Sequence, residues 1–251
     1  MLSKNKIKFF NSLKLRKFRI KHNLFIAEGK KSVSELLKSE IKPKFIISVN
    51  KNINLPKNNN EFEFIETNYS DIKKISFLKT APEIIGVFEI PKYDTDLKTI
   101  SESLSLYLDG LQNPGNLGTV IRTADWFGIK NIFCSKDTAD VYNPKTVQAT
   151  AGAVASVKVH YTGKDFFKNL PPDLPVYGTF LNGSNIYETK LSRKGIIVIG
   201  NEGNGISETI AGYIKTRLYI PRFNESETGE SLNASVAAAI IVSEFKRRLL
   251  Y

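Results

Sequence analysis

Along the first ninety residues the hydrophobic positions alternate between helical and strand-like spacing. Ile7, Phe10 and Leu13, with the stem of Lys14, fall on one side of a helical wheel and predict a basic amphipathic helix over 3–21. "LFIAEG" (24–29) predicts a short buried strand. Val33, Leu36 and Leu37 predict a helix over 32–39, and "KFIISV" (44–49) a second strand. The Asn-rich, proline-containing run "NKNINLPKNNNEFEF" predicts a loop, and 84–90 a third strand closed by Pro91. Together these predict a small α/β unit over about 1–91. The polar, proline-led "PKYDTDLKT" then predicts a linker, dividing the chain into domains over 1–95 and 96–251.

Beyond the linker the pattern changes. Six apolar, β-branched or aromatic runs lie at 104–110, 131–135, 155–161, 176–181, 195–200 and 216–221. Helical segments are predicted at 116–128, 144–150, 163–169 and 207–215, and a long helix over 231–249. Apolar strands alternating with helices predict a parallel sheet covered on both faces.

Charge adds a second asymmetry. Residues 1–60 hold 15 basic and 3 acidic residues, net +12, whereas the remaining 191 hold 21 and 22, net −1. A localised basic stripe predicts a polyanionic partner, nucleic acid foremost. Cys134 is the only cysteine, and His22 and His160 are far apart in sequence, so neither a disulfide framework nor a His/Cys metal centre is expected. No apolar run approaches the roughly 20 residues of a membrane span. The basic N-terminus lacks a continuous apolar signal region, and its pattern runs on into "FIAEGKKSVSELLKS", which reads as folded structure; a cytoplasmic location is expected.

Three segments follow predicted strands, where open α/β sheets bind ligands. In "LDGLQNPGNLGTVIRTADWFG", Pro114-Gly115 predicts a turn and Asn116 the cap of the following helix. Arg122 either pairs with Asp125 on a solvated helix face or serves a site. In "VIGNEGNGIS" the glycines at 200, 203 and 205 have the order G-x-x-G-x-G, which fails the dinucleotide fingerprint, and no P-loop motif occurs. Such glycines still let backbone approach a ligand closely. Glu202 is either a functional acid or an incidental turn residue. In "YIPRFNESETGESLNASVAAAIIVSEFKRR", Ser231 or Asn233 predicts a helix cap, and the alanines that follow permit close packing.

In this order the three segments resemble the motifs of the SpoU family of RNA 2′-O-ribose methyltransferases, in the SPOUT superfamily: "NPGNLGTVIRTADWFG" the first, "IGNEGNGIS" the second, "IPRF…ESLNASVAAAI" the third. "RKFRIKHNLFIAEGKKSVSELLKS" resembles the start of the RNA-binding domain that many members carry, with a ribosomal-protein-like α/β fold. The resemblance implies a trefoil-knotted SPOUT domain and S-adenosylmethionine as methyl donor. It places Thr179, Leu181, Gly183, Gly200, Asn201, Gly203, Gly205, Ile220 and Leu232 at the cofactor, and Asn116, Arg122, Glu202, Ser231 and Asn233 at the catalytic centre. Structured RNA would be held by Lys4, Lys6, Lys8, Arg16, Lys17, Arg19 and Lys21. A homodimer through the catalytic domain is implied, with 116–128 and the last helix at its interface, and no metal. The appended domain favours large-subunit rRNA as substrate. A tRNA substrate, methylation of a base nitrogen, or a catalytically silent RNA-binding assembly factor are the alternatives. Family accounts often make the arginine a general base. A guanidinium pKa above roughly 12 suits it better to holding phosphate or stabilising alkoxide. One departure stands out: the 222–230 loop has Arg222 where members commonly have Met, lacks the usual Gly and is longer.

Overall fold

The structure, a computed structural model, describes residues 1–56, 61–94, 97–163, 165–224 and 231–248. Most of the variant 222–230 loop therefore lies outside the described residues, as do Lys164 of the predicted 163–169 helix and the last residue of the predicted 231–249 helix. The chain forms two compact units, Met1–Lys92 with Asp140–Ser156, and Tyr93–Ala139 with Val157–Tyr251.

The first unit begins with two helices, α1 (Lys4–Ser12) and α2 (Arg16–His22), in place of the single helix expected over 3–21. The break has a tertiary cause. The buried guanidinium of Arg19 donates from Nη1 to the carbonyls of Leu13 and Lys14 (2.8 and 2.7 Å), which a continuous helix would give to the amides four residues on. Its Nη2 pairs with Asp140 at 2.6 Å. Arg19, expected among the RNA-contacting cations, is thereby corrected: it is 2% exposed and works inside the fold.

Strands β1 (Leu24–Glu28), β2 (Pro43–Ser48), β3 (Glu63–Glu66) and β4 (Ile84–Glu89) form a mixed sheet in the order β1-β4-β2-β3. β4 runs antiparallel to both neighbours, and β3 adds parallel to β2. Helices α3 (Lys30–Lys38) and α4 (Tyr69–Ile75) complete the local connections. β3 begins inside the run read as a loop, and α4 was not expected. β3 is an edge strand flanked by glutamates with no fully buried residue, so it carries no strong apolar signal. α4 is announced chiefly by its cap, Asn68, whose side chain accepts from Asp71 N. Phe10, Leu13, Ile26, Ile47, Ile72, Ile75, Ile85 and Val87 form one core. The 140–156 segment is also built in: helix α7 (Pro144–Thr150) packs on β1, Tyr142 lies 4.8 Å from Phe25 ring to ring, and Val141, Val147 and Val154 are buried.

The second unit carries the predicted sheet. Strands β5 (Leu104–Leu108), β6 (Asn131–Cys134), β7 (Lys158–Tyr161), β8 (Val176–Asn185), β9 (Gly195–Ile199) and β10 (Thr216–Tyr219) are parallel throughout, in the order β10-β8-β9-β5-β6-β7. β5 and β9 are buried at every residue, as a strand covered on both faces must be. On one face Tyr107, Phe133, Val176 and Val198 pack with Ile100 of α5 (Leu97–Glu102) and Ile210 of α8 (Glu208–Ala211). On the other, Tyr177 meets Phe245 of α9 (Ala234–Arg247) edge-on at 4.9 Å, and α9 packs against α6 (Pro114–Trp126). α5 starts within the expected linker. The predicted 207–215 helix is only the single turn of α8, and 163–169 yields a 3₁₀ turn at Phe167–Asn169.

Candidate active site

Adjacent parallel strands β8, β9 and β5 deliver their carboxyl ends to one edge of the sheet, and the three motif loops leave from there or close by. The central strands are tied first. Where β5 ends, the buried Asp109 carboxylate accepts from Ser207 N at 2.8 Å, and Gly110 O accepts from Asn201 Nδ2 at 2.6 Å. The loop after β9 is thus lashed to the loop after β5 from both sides. Asn201 also shapes its own loop: its Oδ1 accepts from Gly203 N and Asn204 N (2.8 and 3.0 Å), and its backbone pairs with Gly205. Gly200 is required there, since a Cβ would lie 2.3 Å from the Gly205 carbonyl carbon.

The first motif differs from expectation in one position, and the difference has a chemical consequence. The cap of α6 is Asn113, whose side chain accepts from Gly115 N and Asn116 N, with Pro114 at the first helical position. Asn116, expected as the cap, sits inside the first turn with its side chain free for other partners. It uses both ends of its amide. Nδ2 donates to Glu202 Oε1 at 2.9 Å, and Oδ1 accepts from Asn233 Nδ2 at 3.1 Å. Asn233 in turn caps α9, its Oδ1 accepting from Ser235 N, Val236 N and Ser235 Oγ. One residue from each motif therefore joins a single chain of hydrogen bonds, Glu202–Asn116–Asn233, across separations of 86 and 117 residues.

Arg122 and Ser231 lie outside that network. Both are exposed, and among the described residues Arg122 makes no ion pair, so its expected alternative partner Asp125 is not engaged with it. On α6 Arg122 stands one turn before Trp126, which is 85% exposed.

Apart from Leu232, the residues expected at the cofactor lie along or just beyond three adjacent strands, β8, β9 and β10. β8 and β10 pair at Tyr177–Gly178, then lose register and resume at Ser184–Asn185, so that Thr179–Asn182 bulge out between them. Gly183 closes the bulge with φ +150°, and a Cβ there would meet Arg217 O at 2.7 Å. Leu181 at the bulge is 78% exposed and Leu232 before α9 is 50% exposed, while Ile220 just past β10 is half-buried. Uncovered apolar side chains beside tightly packed glycine backbone suit a flat, partly apolar ligand such as an adenosine moiety. The chemistry of the remaining candidates is negative. Burial raises the Cys134 thiol pKa, so it is not a poised nucleophile, and burial, aided by Lys158, lowers that of His160. Tyr107, two residues before Asp109, is pushed up to about 12, mainly by burial.

Sequence reading missed Asp109 and Asn113. The signal for Asn113 was present, since proline at the next position marks it as a cap. Asp109 looked like a strand end and nothing more.

Comparison with known proteins now has a geometry to refer to. Residues 103–243 match the SpoU rRNA Methylase family and residues 4–86 the MRM3-like substrate binding domain. The chain is 31% identical over 247 residues to the 23S rRNA (guanosine(2553)-2′-O)-methyltransferase RlmP of Bacillus subtilis, covering 94% of each chain. Among solved structures, it superposes with a TM-score of 0.87 and 38% identity on a Porphyromonas gingivalis protein assigned to the TrmH family of RNA methyltransferases, over 99% of both chains. An AdoMet-bound rRNA methyltransferase from Sinorhizobium meliloti gives 0.86 and 26% identity, over 100% of this chain and 97% of that one. With its three motif loops joined through Asn116 and the family pattern matched from 103 to 243, this chain belongs to the SpoU rRNA methylase family.

Proposed function

We propose that the protein transfers the methyl group of S-adenosylmethionine to a ribose 2′-hydroxyl of large-subunit ribosomal RNA. The observation that carries this reading is the Glu202–Asn116–Asn233 chain of hydrogen bonds at the carboxyl edge of a parallel sheet. The relatives' named activity on 23S rRNA supports the substrate. S-adenosylmethionine supplies an electrophilic methyl on a sulfonium, so the protein need only hold, orient and balance charge. Gly183, Gly200 and the loop Asn201–Gly205 give the backbone cradle, and Leu181, Ile220 and Leu232 its apolar lining. Glu202 fixes which end of the Asn116 amide faces Asn233, and that leaves a defined donor–acceptor edge for the ribose. Arg122 is the group for the neighbouring phosphate and for charge that develops on the 2′-oxygen, because a guanidinium stays protonated and its planar fork suits phosphate.

We read the backbone of the second unit as a trefoil knot; the bulge Thr179–Asn182 against β10 supports this. The first unit is read as a ribosomal-protein-like RNA-binding domain, with Lys4, Lys6, Lys8, Arg16, Lys17 and Lys21 contacting phosphate; all six lie on α1 and α2. Lys6 also pairs with Glu63. The working form is a homodimer in the cytoplasm. The exposed Trp126 on α6 and Val236 (47% exposed) on α9 support an interface formed by these two helices, with Arg122 on the same stripe. The test is transfer of labelled methyl to 23S rRNA, with nuclease digestion locating it on sugar or base. Asn116→Asp, which sets a carboxylate against Glu202, is expected to lower turnover by at least roughly 10²-fold. Wild-type turnover in that variant, or a methyl on a base nitrogen, overturns the reading. Sedimentation at micromolar concentration showing a monomer overturns the dimer.

A further inference from the structure

α2 presents an outward surface that phosphate binding alone does not require. Ile20 is 66% exposed and Leu15, which precedes the helix, 51% exposed. Around Ile20 stand Arg16 and Lys17, four and three residues earlier and so on the same helix face, with Lys21 beside them; all three are exposed. The side of α2 that carries Phe18 and His22 is aromatic: their rings stack at 6.4 Å and 14°, and Lys17 Nζ lies 5.1 Å above the Phe18 ring. Phe18 and His22 lie across the helix from Ile20 with Lys17 and Lys21 between them, so the exposed arc of α2 is a basic stripe with an apolar edge on either side. A surface that contacted only the backbone of a regular duplex would gain from lysine at positions 15 and 20, not from leucine and isoleucine left in water. A partner with anionic groups spaced beside flat apolar faces satisfies both halves of the surface, and unpaired nucleotides have that chemistry.

We propose that α2 with its Leu15 shoulder receives unpaired nucleotides of the substrate RNA, the phosphates over the stripe of Arg16, Lys17 and Lys21 and the bases turned to its two sides, over Ile20 on one and over Leu15 and the Phe18–His22 pair on the other. The inference deepens the RNA-binding reading above and rests on it. It makes the first unit a reader of loops or bulges rather than of duplex shape.

The experiment uses the full-length protein with two fluorescent probes of matched length, an RNA stem-loop with an open purine-rich loop and a fully paired RNA duplex. Leu15→Ser/Ile20→Ser changes only exposed side chains. It is expected to weaken stem-loop binding by roughly tenfold, leave duplex binding within about twofold, and leave the salt dependence unchanged. Lys17→Gln/Lys21→Gln is expected to reduce the slope of log affinity against log salt by about 1.4, for two contacts to a single strand. Wild-type stem-loop affinity in the Leu15/Ile20 variant overturns the proposal, as does an equal loss on both probes. A changed sedimentation coefficient in that variant without RNA overturns it in favour of a contact between copies. If the variant binds normally and methylates rRNA normally, only this inference fails. If the wild-type protein neither binds RNA nor transfers methyl, the functional reading itself fails.

Discussion

The buried pair Arg19–Asp140 permits an asymmetric prediction. Arg19 is 2% exposed and holds three hydrogen bonds, two to carbonyls and one to Asp140, while its Nε has no partner. Asp140 is the only carboxylate that pairs with it among the described residues, and its side chain keeps 17% exposure. Removing the carboxylate strands a cation that cannot reach water; Asp140→Ala is therefore expected to cost about 3 kcal/mol or more. Removing the cation leaves a carboxylate that can still hydrate and that keeps its bond from Tyr142 N. Arg19→Met is expected to cost about 1–2 kcal/mol, chiefly for the two released carbonyls. The double variant should resemble Arg19→Met, giving a coupling energy of about 3 kcal/mol, the cost of Asp140→Ala alone. Calorimetry of the full chain, with hydrogen exchange at Phe25 and Ile26 to report the first unit alone, measures all three. At about 4 °C per kcal/mol for a unit of roughly 100 residues, Asp140→Ala lowers its transition by about 12 °C. Additive losses, or Arg19→Met being the worse single change, refute the reasoning.

Further outcomes follow from other groups. Glu244 is held down to about 2, first by Arg247, against the opposing effect of burial, and further by Arg248. A depressed folded pKa gives stability that is present above the unfolded value near 4.5 and lost as pH falls toward 2. Glu244→Gln should thus melt lower than wild type at pH 6 by roughly 3 °C, about 1 kcal/mol once the half-exposed Arg247 is discounted for screening, with the gap closing near pH 2 in acid thermal melts. Glu28 has the opposite sign: burial raises its pKa despite bonds from Ser76 and Phe77 N, so its ionised form opposes folding once pH passes the folded value. Glu28→Gln should gain relative to wild type between pH 4 and pH 7.5, and a gain that shrinks over that range refutes the assignment. Ala151 closes α7 at φ 50°, a conformation glycine adopts without strain. Ala151→Gly is expected to stabilise by about 0.5 kcal/mol, read as a higher denaturation midpoint at unchanged m-value.

The legible parts of the molecule are those set by local pattern. Runs such as "GIIVIG" and "LSLYLDG" announce strands buried on both faces, because no charge and, within the strands, only Ser105 and the Tyr107 hydroxyl interrupt them, and β9 and β5 are such strands. The three motif loops could be ordered at one edge of the sheet for the same reason. What local pattern cannot carry is a partner far along the chain. The break between α1 and α2 depends on a guanidinium anchored by a residue 121 positions away, and the isolated segment reads as one good amphipathic helix. The 144–150 helix was predicted, yet nothing in its residues says that Val141, Val147 and Val154 are buried in the first unit.

The same distinction bears on Asn116, which local reading places at the helix cap. Read locally, Asn116 competes with Asn113 for the cap, and both are good cap residues. Proline at 114 decides it, because a residue without an amide hydrogen belongs at the first helical position, where no intrahelical acceptor is waiting. Once Asn113 takes the amides of the first turn, Asn116 has both ends of its side chain to spare, and only then can it bridge an acid from one motif and an amide from another. Asn233 divides its labour differently: its oxygen caps α9 and its nitrogen reaches Asn116. Helix capping and site assembly are therefore one construction here. A Pro114→Ala change that lets the cap drift toward Asn116 should loosen the link to Glu202 without touching either residue, lowering turnover more than stability; a variant with full turnover and a loosened helix would break that connection.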